Sequence, residues 1–367
     1  MNAALVLLAA GGTGGHLFPA EALAAALGAR GATVELATDA RAVGYGDKFP
    51  ARAAHVIPSA TPRGKNPLAY AKAGTVIAFG LAKAYGLIGR LRPAAVVGFG
   101  GYPSIPAVLA ASLRRVPSVI HEQNGVMGRA NRLLAPRVTA IATSFPGVLE
   151  AQPVLAAKAT HTGNPLRPAV IAAIAPYAPP DPQGPLRLLA FGGSQGARIM
   201  ADIVPPAIER LDPAVRARLV VVQQARAEDL DRVRATYARL DIAAEAAPFF
   251  TDLPARVAAA HLVISRSGAS TVAELAALGR PAILVPLPHA LDQDQLANAR
   301  VLEAAGGAIL LRQDTFTPAR LAAEITALAA EPAHLATMAA GARSAGAPDA
   351  ADRLADLVLK VAEAGRT

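Results

Sequence analysis

Leu262-Val-Ile-Ser-Arg-Ser-Gly-Ala-Ser-Thr-Val-Ala-Glu-Leu275 is the stretch on which the reading of the chain turns. Leu262 to Ile264 is a short apolar run, long enough to finish a buried parallel strand. Ser265 to Ser270 is small and holds one glycine, which suits a tight turn. From Thr271 the residues favour helix, and Gly279 and Pro281 stop it. A strand, a small-residue loop and a helix N-terminus follow one another. Such an end presents unpaired N–H groups and about half a positive charge, so it suits phosphate. Ala269, Ser270 and Thr271 would supply those amides. Arg266 could add a charge-assisted bond, and Glu274, one turn into the helix, could accept from a ribose hydroxyl. An ordinary strand-to-helix turn with Ser270 as N-cap fits these residues equally well, so the decision passes to the rest of the chain.

The same arrangement recurs. Strand 3–10 runs into Gly11-Gly-Thr-Gly-Gly-His16, then a helix from Phe18 to Leu27, then strand Thr33–Ala37. Leu186–Phe191 runs into Gly192-Gly-Ser-Gln-Gly-Ala-Arg198 and another helix. Buried strands are also expected at 94–99, 117–121, 138–142, 219–223, 282–285 and 308–311. Strands alternating with helices predict an α/β protein of two Rossmann-like, doubly wound domains facing a central cleft, with ligands at the carboxyl ends of the strands. The boundaries read as 1–163 and 164–349, with Gly163-Asn-Pro-Leu-Arg-Pro168 as hinge. A helix over about 350–367 has no strand after it and could pack back on the first domain.

Composition narrows the function. The 367 residues are 53% hydrophobic and 17% charged, ample for two cores. Aromatics are 4% with no Trp, so stacking platforms for single-stranded nucleic acid are scarce. With no cysteine there is neither disulfide nor thiolate metal site. Met1 to Ala10 lacks a basic leader and reads as a first strand, not a signal peptide. The sequence is read as holding no segment that approaches the ~20 apolar residues that cross a bilayer. Charge is uneven. Residues 1–165 hold 16 Lys/Arg against 6 Asp/Glu, and residues 166–367 hold 20 against 21. A basic field on one half points to an anionic partner, either a lipid headgroup, a phosphorylated substrate or nucleic acid.

Four motifs carry chemistry. Gly12-x-Gly14 opens a dinucleotide fingerprint, but Leu17 stands where its third glycine belongs. Asp39 sits where a ribose-binding acid would, which keeps an NAD-dependent oxidoreductase as a rival. His16 begins a helix at the crevice and is either a cap or a general base. His121-Glu122-Gln123-Asn124 follows a buried strand, where polar groups are costly unless used or paired. On a helix over 68–92, Lys72, Lys83 and Arg90 fall within about 20° of one another, with Val76 and Phe79 on the same face. Tyr70, Ile77, Leu81 and Ile88 lie on the opposite, core-facing side. The basic-apolar face suits the surface of an anionic membrane, or a solvated helix whose lysine stems cover apolar surface. Finally, Asp292-x-Asp294 matches a loose metal pattern that Asp229-x-Asp231 matches as well. We read Asp292 and Gln295 as polyol contacts and expect no metal.

In order and spacing, Gly11–His16, His121–Asn124, Gly163–Pro165, Gly192–Arg198, Arg266–Glu274 and Asp292–Asn298 resemble the MurG family of peripheral membrane N-acetylglucosaminyltransferases, glycosyltransferase family 28. The match covers residues 5 to about 360. The resemblance implies a GT-B fold and inverting transfer of N-acetylglucosamine from UDP-GlcNAc to the 4-hydroxyl of undecaprenyl-pyrophosphoryl-MurNAc-pentapeptide. It implies no cofactor, no nucleic acid, and a place on the cytoplasmic face of the inner membrane. By the same resemblance Ser194 and the Gly192–Gly193 loop lie near the diphosphate, with Arg167 reaching the nucleotide. The Phe250 main chain would read uracil and Glu274 the ribose. Gln295 and Asn124 would touch the sugar, and Thr13, Gly14 and Gly15 would face donor and acceptor pyrophosphate. His16 is the favoured base and Glu122 its competitor. Asp294 stands where relatives often carry His, and the membrane face has no Trp. A related transferase with another lipid acceptor is the remaining alternative.

Overall fold

The computed structural model describes residues 4–11, 14–40, 49–60, 67–193 and 196–365. The chain forms two compact units, Met1–Arg167 with Pro348–Thr367, and Pro168–Ala347. Both crossings between units fall at a proline, four residues after the expected first boundary and two before the second.

In the first unit the strands are β1 (Leu5–Ala9), β2 (Thr33–Thr38), β3 (Ala54–Val56), β4 (Ala95–Gly98), β5 (Ser118–Glu122), β6 (Ala140–Thr143) and β7 (Ala159–His161). They pair in the order β3-β2-β1-β4-β5-β6-β7, all parallel. Chain order reverses between β1 and β4, which marks the ligand-binding position of a doubly wound sheet. Side chains alternate across the strands. Val6, Leu8 and Val97 join one core, and Leu7, Ala9 and Val96 the other. Burial on both faces explains why these strands read as continuous apolar runs.

The helices α1 (Gly14–Ala29), α2 (Pro67–Leu91), α3 (Gly101–Leu113) and α4 (Arg129–Leu134) cover this sheet. The closing helix Ala350–Ala364 covers it too, contributing Leu354, Ala355, Val358, Val361 and Ala362 to the core of Val6 and Leu8. Its Asp352 and Asp356 accept from Arg30 at the end of α1, at 2.8 and 3.1 Å.

Helix α2 corrects one expectation. Over Ala71–Leu91 it is, by length and composition alone, apolar enough to cross a membrane. One side is nevertheless fixed to the domain, because Ala73, Gly80, Ala84, Leu87 and Ile88 are buried and the helix packs along α3. Ile77 and Leu81 are partly buried on the same core, and the Tyr70 side chain lies outside what is described. The opposite side exposes Lys72, Lys83 and Arg90, with Phe79 67% exposed and Val76 half-buried.

The second unit repeats the plan. Strands β8 (Leu186–Phe191), β9 (Leu219–Gln224), β10 (Ala243–Ala247), β11 (Leu262–Ser265), β12 (Ala282–Leu284) and β13 (Ala308–Leu310) pair in parallel as β10-β9-β8-β11-β12-β13. Its reversal lies between β8 and β11. Helices α5 (Arg198–Glu209), α6 (Ala269–Leu278) and α7 (Asp294–Ala304) follow β8, β11 and β12. In both units, then, the glycine loop and its helix stand at the reversal point.

Candidate functional site

At the reversal in the first sheet the chain leaves β1 through Gly11. A Cβ there would stand 3.0 Å from Asp39 Oδ1 and 3.1 Å from Thr38 Oγ1, a crowded approach to the end of β2 that glycine relieves. Helix α1 then begins with Gly14 and Gly15, and His16 is its third residue. Thr13 lies outside the described residues. From the far side, Gly100 and Gly101 lead β4 into α3 with φ of 75° and 66°. The His16 Nε2 would be 3.2 Å from a Cβ on Gly101, so the ring packs closely over that glycine. Burial holds the His16 imidazole below its ordinary pKa, against hydrogen bonds to Gln123 and the Phe99 carbonyl that favour the charged form. It is therefore neutral at pH 7, as a general base must be.

The polar run His121 to Asn124, whose first two residues end β5 and whose last two follow it, is a hydrogen-bonded network. His121 is fully buried, and its Nε2 lies 3.0 Å from the Gly163 carbonyl. Gln123 donates from Nε2 to the Phe99 carbonyl at 3.0 Å, and the same atom is 3.2 Å from His121 Nδ1. Glu122 is also buried, and both its oxygens are occupied. Oε1 accepts from the Asn124 amide at 2.9 Å and from Asn124 Nδ2 at 3.3 Å. Oε2 accepts from the Gly128 amide at 2.9 Å and from Asn131 Nδ2 at 2.8 Å. Burial raises the Glu122 pKa, and these four bonds oppose the rise. The carboxylate thus pins the loop that presents Asn124, with both oxygens accepting from the protein's own groups. Asn131, on α4, is a residue the sequence reading missed. Its signal is an amide in the otherwise cationic and apolar run Arg129-Ala-Asn-Arg-Leu-Leu134, and it is 2% exposed. Arg167 stacks its guanidinium 4.7 Å from the centre of the Phe18 ring, so in this unit it sits against α1.

In the second unit β8 runs into Gly192, whose amide donates to Gln224 Oε1 at 3.0 Å. A Cβ on Gly192 would collide with the Ala197 amide, and Gly193 has φ 91°. Ser194 lies outside the described residues. Helix α6 begins at Ala269, two residues before the expected Thr271, and its N-cap is Gly268 instead of Ser270. Gly268 has no side chain to cap the helix, so the amides of Ala269, Ser270 and Thr271 are its first-turn donors. Glu274 follows one turn on, partly exposed.

Arg266 departs from its expected role. It is buried, and its guanidinium donates to the carbonyls of Val285 and Pro286, both at 3.0 Å, and to Gln313 Oε1 at 2.6 Å. Three donors are engaged in closing the end of β12, because a buried cation must find acceptors nearby. An anion at this loop would meet the first-turn amides of α6 before this guanidinium. Gln313, the missed partner, lies after β13 within the polar run Arg312-Gln-Asp-Thr315, where nothing in the sequence singles it out.

Phe250 is buried in the loop after β10, with the Arg256 guanidinium 4.3 Å from its ring centre. The amide oxygen of Gln295 accepts from the Leu287 amide at 3.0 Å. Ser267 and Asn298 lock α7 to the loop before α6, donating to the carbonyls of Gln295 at 2.8 Å and Ser267 at 3.1 Å.

Comparison with known proteins covers both units. A model of the glycosyltransferase family 28 N-terminal domain matches residues 6–143, and one of the glycosyltransferase family 28 C-terminal domain matches residues 187–354. The chain is 65% identical over 363 residues to the UDP-N-acetylglucosamine–N-acetylmuramyl-(pentapeptide) pyrophosphoryl-undecaprenol N-acetylglucosamine transferase of Rhodopseudomonas palustris, covering 99% of each. To the protein of the same name from Bradyrhizobium diazoefficiens it is 62% identical, covering 98% of each. Among solved structures it resembles Acinetobacter baumannii MurG, with a TM-score of 0.80 at 31% identity over 97% of this chain and 99% of that one. A Neisseria meningitidis UDP-GlcNAc 2-epimerase shares the fold alone, with a TM-score of 0.68 at 14% identity over 97% of this chain and 100% of that one.

Proposed function

The chain belongs to glycosyltransferase family 28, and we infer from this that it is a hexosyltransferase of GT-B fold acting in peptidoglycan synthesis. It transfers N-acetylglucosamine from UDP-GlcNAc to undecaprenyl-pyrophosphoryl-MurNAc-pentapeptide, releasing UDP. The observation that carries this reading is the 65% identity to a transferase of that specificity over 99% of both chains.

In the inverting reaction the muramyl 4-hydroxyl attacks the anomeric carbon, the bond from that carbon to the UDP oxygen breaks, and the hydroxyl proton passes to a base. The base is His16, which is neutral at pH 7 and stands at the start of α1. Glu122 acts on the loop and not on the proton, since all its bonds go to that loop and α4. The negative charge that develops on UDP falls to the first-turn amides of α6 (Ala269, Ser270 and Thr271) and to the Gly192–Gly193 loop. Preorganised donors of this kind need no reorganisation as charge develops. Glu274, the Phe250 main chain and the Gln295 NH₂ are assigned to ribose, uracil and sugar. Exposed Lys72, Phe79, Lys83 and Arg90 on α2, with Val76, support peripheral contact with the anionic cytoplasmic face of the inner membrane.

The deciding experiment is a transfer assay with radiolabelled UDP-GlcNAc. Label should move to undecaprenyl-pyrophosphoryl-MurNAc-pentapeptide and not to diacylglycerol. Equal labelling of both lipids, or calorimetric binding of NADH in place of UDP-GlcNAc, would refute the assignment. His16→Ala should lower kcat by about 10²–10⁴-fold, the usual worth of a general base, with UDP-GlcNAc affinity nearly unchanged.

A further inference from the structure

The hydrogen bonds around His121 determine where the proton of His16 sits. A carbonyl oxygen only accepts, so the 3.0 Å contact between His121 Nε2 and the Gly163 carbonyl requires a hydrogen on Nε2. Burial lowers the His121 pKa to about 4, so at pH 7 the ring carries that one hydrogen and Nδ1 has a lone pair. Gln123 faces that lone pair at 3.2 Å and the Phe99 carbonyl at 3.0 Å with the same atom. Two acceptors on one side demand the NH₂ group there. The opposite amide orientation would set an oxygen against two acceptors, so the network itself settles which atom is nitrogen.

Gln123 Oε1 therefore points the other way, towards Gly100, and it bonds the His16 ring. The ring nitrogen involved is Nε2, which lies beside Gly101, because Nδ1 has no hydrogen-bond partner. An amide oxygen and the Phe99 carbonyl both need a donor, so His16 Nε2 bears the hydrogen. The lone pair remains on Nδ1, a buried atom that is otherwise unpartnered. Each step is fixed by the one before, starting from the Gly163 carbonyl.

We propose that Gln123 is a positioning residue, holding His16 in the Nε2–H tautomer so that Nδ1 is the nitrogen that takes the acceptor's proton. The kinetic part of this proposal rests on His16 being the base, whereas the tautomer rests on the hydrogen-bond network around the ring.

Nitrogen-15 NMR of the histidine-labelled full chain at pH 7 tests it, with His16→Ala identifying the His16 resonances. In the unaltered protein the His16 Nδ1 should report an unprotonated nitrogen and Nε2 a protonated one. This measurement needs no variant to fold, and a hydrogen on Nδ1 would overturn the proposal. In Gln123→Leu the two shifts should converge as the tautomers mix. That variant should lose about 10-fold in kcat at unchanged UDP-GlcNAc affinity, short of the ~10²–10⁴-fold loss expected without the base. Mixed tautomers with full kcat in Gln123→Leu would refute the positioning role. A locked Nε2–H tautomer together with full turnover in His16→Ala would instead refute His16 as base, so the two failures are distinguishable.

Discussion

His121 makes the first unit sensitive to acid. Burial holds its pKa near 4, whereas in the unfolded chain it titrates near 6.5. Between these values the unfolded state binds a proton that the folded state refuses. The sign follows directly. Stability is complete above about pH 6.5 and falls as pH drops towards 4, by about 1.4 kcal/mol per pH unit. Urea unfolding of the first unit at pH 7 and pH 5 should show this loss, and His121→Asn should show less of it. An unchanged pH dependence in His121→Asn would assign the sensitivity elsewhere. Glu122→Gln should cost about 1–3 kcal/mol, the typical price of a mispaired buried polar group, since an NH₂ would then oppose a donor. At this scale the sequence is informative about position and silent about direction. His121 to Asn124 stands out because polar residues directly follow an apolar strand. Arg266 stands out equally, but nothing in its neighbours in sequence reveals that Val285, Pro286 and Gln313 supply its acceptors. Those partners arrive through tertiary pairing.

Among the elements, α2 separates two kinds of glycine. A Cβ on Gly80 would strike the Pro58 carbonyl, whereas one on Gly74 meets nothing within 4 Å. Gly80→Ala should therefore lower the thermal midpoint of the first unit, by the equivalent of about 1–3 kcal/mol of overpacking. Gly74→Ala should leave it unchanged or raise it, by up to about 1 kcal/mol of helix propensity. Differential scanning fluorimetry on both variants checks the pair, and equal midpoints would remove the argument for close approach at Pro58. Glycines at 74, 80 and 86 count against a helix on propensity alone, yet it runs unbroken from Pro67 to Leu91. Packing along α3 outweighs the local cost. The long apolar strands were legible for the reason that they are buried on both faces. The short strands β3, β7 and β10 were not. Ala-His-Val, Ala-Thr-His and Ala-Ala-Glu-Ala-Ala carry little β preference, and they are strands because a neighbouring edge offers them hydrogen bonds.

For the molecule as a whole, the duplicated strand–glycine–helix pattern carried the architecture, and the two sheet orders repeat it. The described closing helix completes the first core and not the second. Removing residues 348–367 should therefore unfold the first unit and leave residues 168–347 protected, as limited proteolysis with mass spectrometry would read. Equal digestion of both units would contradict that division. The consequence reaches back to synthesis. A ribosome releases everything needed for the second unit by residue 347, while one face of the β1 sheet still waits for Leu354 and Val358. The half translated first is the half finished last, and its uncovered apolar face is the part of the nascent chain most in need of a chaperone.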